Sequence, residues 1–187
     1  LRARIFLEVS SFQSRNLSCL NPESVIWTNL AEDHLNYHGT MEDYFRSKFS
    51  LLQRCQKEIF VGQSVLRWAK RFSVNLPDQV SIVSPIPGPI PSLCEDHFLN
   101  THPQRENFAL ASAFAISLGI SESEFILASN DYQPEPHRLR KVRQLEKVSF
   151  WNDSKATNFS AVIAACRSMR EPIFWIGGGQ SKGVMMD

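Results

Sequence analysis

A chain of 187 residues, 43% of them apolar, is long enough to bury one large core or two small ones. Twenty Lys and Arg against 19 Asp and Glu leave a net charge of +1, which points away from nucleic acid or a membrane surface and toward a small-molecule partner. Cys19, Cys55, Cys94 and Cys166 are far apart with no C-x-x-C pair, which argues against a disulfide framework or zinc knuckle and suits free thiols in a reducing cytoplasm.

In chain order, "ARIFLEV" (3–9) and "SVIWTNL" (24–30) are short apolar runs rich in β-formers, expected as buried strands. Glu8 would then stand at the carboxyl end of the first strand, where a carboxylate is costly unless paired or bound to a hard cation such as Mg2+. "NLAEDHLNYHGT" sets Asp33, His34 and His38 together, with the imidazoles one helical turn apart. That spacing can hold zinc, but the glutamate of H-E-x-x-H is missing, which argues against a zinc protease and leaves surface histidines as the bland alternative. Gly39 stops that turn, and Thr40 with Asp43 caps a helix from about Met41 to Cys55. Its apolar stripe is Tyr44, Phe45, Phe49, Leu52 and Cys55, and Lys48 falls on the same stripe. Either that side chain snorkels to water, or its amine is kept neutral because its reactivity is used.

"QVSIVSPIPGPIPSL" reads as a strand followed by an extended proline connection. Residues 107–118 form a helix stopped by Gly119, and Ser121 with Glu124 opens another. Two prolines in "NDYQPEPHR" mark a linker at about 130–136. Beyond it, "KVSFW", a helix over 158–169 and "PIFWIG" are expected as one βαβ unit of a parallel sheet, with the loops after Trp151 and Ile176 on one edge. There Lys155 and Lys182 would face a common anionic ligand near a helix amino end. The bland alternative is that Asp153 and Thr157 only cap that helix while Lys155 is solvated. The start on "LRARIF" without Met and the stop on "GVMMD" suggest a fragment cut at both ends.

"LEVSSFQ", "NLAEDHLNYHGTMEDYFRSK", "PHR", "WNDSKATN" and "GGQSKG", in this order and spacing, resemble the Mur ligase family of peptidoglycan synthesis, and "NDSKATN" resembles its D-glutamate-adding branch. The resemblance implies an α/β fold: residues 1–134 as part of the central ATP-binding domain, and 135–187 as the start of a Rossmann-like C-terminal domain that binds the amino acid. It implies a cytoplasmic, monomeric, ATP- and magnesium-dependent ligase that joins D-glutamate to UDP-N-acetylmuramoyl-L-alanine through an acyl phosphate. Glu8 and His34 resemble ligands of a catalytic magnesium, and Lys48 the family's carbamylated lysine. Ser10 and Gln13 are similar to positions lining the UDP-sugar site. Asn107, Arg138 and Asp153 are similar to nucleotide-contacting positions, and Lys155, Thr157 and Lys182 to residues holding D-glutamate or neighbouring phosphates.

The chain contains no G-x-x-x-x-G-K-[ST]. In the family that phosphate loop lies upstream, so this chain is expected to be inactive by itself. Two alternatives stay open: another amide ligase of the superfamily, such as a diaminopimelate- or folylpolyglutamate-type enzyme, and a non-catalytic binding module.

Overall fold

The computed structural model describes residues 4–94, 97–169 and 172–179. The described residues divide into two compact units, one up to residue 82 and one from residue 83 onward.

The first unit is built on a sheet of order β1-β2-β3, formed by Val25–Trp27, Ile59–Gly62 and Val80–Val83. β1 and β2 run parallel, with Val25 opposite Ile59 and Trp27 opposite Val61. All four residues of the central strand β2 are buried, as expected for a strand covered on both faces. Helices α1 (Ser11–Asn16), α2 (Leu35–His38), α3 (Met41–Leu52) and α4 (Gln63–Arg71) complete it. α3 starts where its cap predicts, with the Asp43 N–H donating to Thr40 Oγ1 at 3.0 Å. The whole expected stripe, Tyr44, Phe45, Phe49, Leu52 and Cys55, is buried in one core with Trp27, Ile59 and Val61. Gly39 ends α2 with φ +75°.

The expected strand over 3–9 is not formed. Residues 4–10 carry no strand pairing, and Ile5, Phe6 and Leu7 are exposed. A strand draws its backbone hydrogen bonds from a neighbour, and apolar patterning alone cannot supply one. Glu8 is therefore exposed, so a burial penalty cannot be the reason for a carboxylate there.

In the second unit, α5 (Gln104–Ser117) begins a turn earlier than expected and is stopped by Gly119 at φ +85°. α6 (Glu122–Ser129) opens on the anticipated Ser121–Glu124 box. Phe108 and Leu99 belong to a small core against which Phe125 and Ile126 pack.

The βαβ expectation is overturned. β5 (Val148–Asn152) pairs antiparallel with β4 (Arg140–Leu145) in a two-stranded ribbon, and residues 172–179 form no strand. β4 reads "RKVRQL", too polar for an apolar-run criterion, yet the turn at Glu146, with φ +49°, folds it straight back onto β5. α7 (Phe159–Ser168) follows as expected.

Candidate active site

In the first unit the candidate residues gather around α1, α2 and α3. Ser10 and Gln13 form a reciprocal capping box: the Gln13 N–H donates to Ser10 Oγ at 3.2 Å, and the Ser10 N–H to Gln13 Oε1 at 2.8 Å. Both side chains thus start α1.

His34 has a left-handed backbone, φ +57°, and Asp33 clasps it twice. Asp33 Oδ1 accepts the His34 N–H at 2.8 Å, and Oδ2 lies 3.6 Å from Nε2. The half-buried ring rests edge-on against Phe12 and Tyr44.

Lys48 is half-buried, with Nζ 5.7 Å from the centre of the Tyr44 ring. Burial pulls its pKa below the usual lysine value, and the Glu8 charge pulls the other way. Burial, helped by Asp33, pushes the Tyr44 hydroxyl up to about 12, so it stays neutral.

The bland alternative of a surface histidine does not hold for His38, which is 3% exposed. Its Nε2 is 2.9 Å from Ser11 Oγ, its ring stacks on Tyr44, and Nδ1 is buried without a partner. Burial first, then the Arg15 and His34 charges, pull its pKa below 6.5. The link to Ser11 had no signal in spacing, because it joins residues 27 apart in sequence.

Among the described residues no three His, Cys, Asp or Glu side chains converge as a metal site. Glu8 and His34 are two ordinary donors, and Lys48 becomes a third only if carboxylated. Burial favours the unprotonated amine that such a modification needs, and on that condition the donor types suit a hard divalent cation.

In the second unit, His102, Gln104, Arg138, Asp153, Lys155 and Ala165 are among the residues that line one cleft. The cap of α7 is Asn158, whose Oδ1 accepts the Ala161 N–H at 2.8 Å. This corrects the capping alternative for Asp153 and Thr157. Asp153 instead accepts the Leu139 N–H at 2.8 Å, tying the start of the ribbon to its end. Lys155 donates from its backbone to His137 O at 3.0 Å and pairs through Nζ with Glu135 Oε2 at 2.5 Å. Hydrogen bonding and charge from Lys155 hold the Glu135 carboxyl below its ordinary value. Glu135 went unnoticed in the sequence because "YQPEPHR" reads as linker. Asn107, one turn inside α5, bonds Gln104 Oε1 through Nδ2 at 3.1 Å, while its Oδ1 is buried with no partner. Thr157 is exposed, and Lys182 lies outside the described residues.

Residues 3–84 match the Mur ligase middle domain. Over nearly its whole length the chain is similar to curated proteins named UDP-N-acetylmuramoylalanine–D-glutamate ligase. That of Thermosynechococcus vestitus is 32% identical over 95% of this chain and 44% of its own length. That of Desulfovibrio desulfuricans is 34% identical over 96% of this chain and 40% of its own. The chain therefore spans less than half the length of these relatives. In fold it resembles the crystal structure of MurF from Acinetobacter baumannii, with TM-score 0.61 and 17% identity over 84% of this chain and 39% of that one. Among the described residues no helix is long and apolar enough to cross a membrane.

Proposed function

We propose that this chain is part of an ATP-dependent ligase that joins D-glutamate to UDP-N-acetylmuramoyl-L-alanine through an acyl phosphate, in peptidoglycan precursor synthesis. The observation that carries the reading is Lys48, a half-buried amine over Tyr44 that feels the Glu8 charge, in a unit of Mur ligase sequence. The similarity to D-glutamate ligases over 95% of the chain, with the resemblance carried by "NDSKATN", supports the choice of amino acid.

On this reading, residues 1–134 belong to the central domain and 135–187 begin the amino-acid-binding domain. Glu8, His34 and a carboxylated Lys48 would hold magnesium, which when bound offsets the repulsion between phosphates and a carboxylate. Asp33 fixes the His34 ring for that role. Gln13 keeps its amide nitrogen for the UDP-sugar, since the capping box uses only its oxygen. Ser10, whose hydroxyl is held by the same box, lines that site beside it. Arg138 and Asp153 border the nucleotide, with Asn107 Oδ1 accepting from the base. Lys155, Thr157 and Lys182 hold the incoming amino acid. Glu135 keeps the Lys155 ammonium extended until an anionic substrate replaces it.

The test is Lys48→Ala in the intact enzyme. We expect kcat/KM to fall by roughly 10^2 to 10^3, as when one electrostatic group is removed from an active site. Intact-mass analysis of the wild type should show a carbon dioxide adduct that the variant lacks. An unmodified lysine with unchanged activity would overturn the reading, and an amino-acid panel that prefers another acceptor would move it to a different ligase of the superfamily.

A further inference from the structure

We propose that the hollow beside the β4–β5 ribbon binds a phosphate-class anion through His137, Arg140, Lys141 and the Asn152 amide. The hollow encloses about 220 Å3 and is lined by these residues with Pro136 and Val142. It shares no lining residue with the cleft assigned to the nucleotide, so the inference stands apart from the ligase reading. No carboxylate lines it.

Three features build the site. The Ser154 N–H donates to Asn152 Oδ1 at 3.1 Å, which turns the amide nitrogen toward His137 Nδ1, 3.0 Å away. An amide nitrogen only donates, so Nδ1 accepts, and the proton of the neutral ring sits on Nε2 as a donor. Arg140 stands directly opposite Asn152 in the ladder. The ladder then shifts register between Lys141 and Arg143, leaving Val142 as an extra residue. In a flat strand Arg140 and Lys141 would point to opposite faces, but the bulge bends β4 so that both border one hollow.

Charge supports the same assignment. "HRLRKVR", residues 137–143, carries five basic or basic-capable side chains in seven positions, a local run hidden by the near-neutral total. Among the described ion pairs, neither Arg140 nor Lys141 meets a carboxylate, and Lys141 Nζ bonds only the Gln144 amide oxygen, at 2.6 Å. An anion would relieve the repulsion between these neighbours. His137 keeps a positive φ of 66°, held by the Lys155 N–H on its carbonyl. At about 220 Å3 the hollow is smaller than the roughly 300–1,000 Å3 of pockets for drug-sized ligands, and a small anion such as phosphate fits within it.

Titration calorimetry of the full chain with inorganic phosphate tests this. We expect saturable binding that weakens about tenfold or more in Arg140→Gln/Lys141→Gln, with an unchanged circular dichroism spectrum, and more than in Arg138→Gln/Lys155→Gln; equal weakening in both would count against the proposal. Loss only in the second variant would place the anion in the nucleotide cleft and overturn the proposal, as would no phosphate binding or an unaffected first variant. Repeating the titration with ATP separates the sources. Weaker ATP binding in the first variant identifies a nucleotide's phosphate group, and unchanged ATP binding identifies free phosphate.

Discussion

The α3 neighbourhood of the first unit and the β4–β5 ribbon of the second present their chemistry in opposite ways. Around α3, the candidate side chains grow out of a packed aromatic wall, and burial itself lowers the Lys48 and His38 pKa values. In the ribbon, every residue of β4 is exposed, and position is set by single hydrogen bonds such as Asp153 to Leu139 and Asn152 to His137. A buried site alters the reactivity of its groups, whereas an exposed one mainly aims them.

The largest effect that would break this contrast is on stability. Phe45→Ala, at a fully buried ring, should cost about 3–5 kcal/mol in urea unfolding. Phe150→Ala in the ribbon should stay near 0.5 kcal/mol. Equal costs would show that the ribbon carries a core of its own. Smaller is the loss of a cap: Thr40→Ala and Asn158→Ala should each cost about 1 kcal/mol. A much larger value for Asn158 would mean that α7 holds the Asp153 turn in place.

The subtlest contrast is in pH. The buried His38, facing Ser11, Phe12, Tyr37, Tyr44, Arg15, His34, Asp43 and Lys48, has a folded pKa below 6.5. Between that value and 6.5 the unfolded chain binds the extra proton, so stability rises with pH through this window and its dependence on His38 ends above it. The urea midpoint followed from pH 5 to 7.5 should show this slope, and His38→Gln should flatten it. A slope unchanged in the variant would assign the effect to other groups.

Sequence reading succeeded where the determinants are local. Thr40 and Asp43, Ser121 and Glu124, and the stripe from Tyr44 to Cys55 all state their structure within one or two turns. It failed where the answer depends on a distant partner. "ARIFLEV" and "PIFWIG" have strand-like composition but no ladder neighbour among the described residues, while polar "RKVRQL" became a strand because a tight turn delivered β5 to it. Strand β2 and helix α4 were not anticipated, although "IFVG" is an apolar run and the buried Val65 and Ala69 stand one helical turn apart. At the site, residue types such as Lys48 and Asp153 were legible, but the contacts that govern them, Ser11 with His38 and Glu135 with Lys155, cross 27 and 20 positions.

The corner at Gly39 has a consequence of its own. With φ +75° and ψ −47°, it lies close to the rare three-residue γ-turn, and a methyl group added there would touch no other part of the protein. The objection to any larger residue thus comes wholly from the main chain, and yielding to it would swing the short arm bearing both imidazoles away from the long arm bearing the ammonium. A missing side chain, placed where nothing contacts it, thus sets the angle at which α2 meets α3.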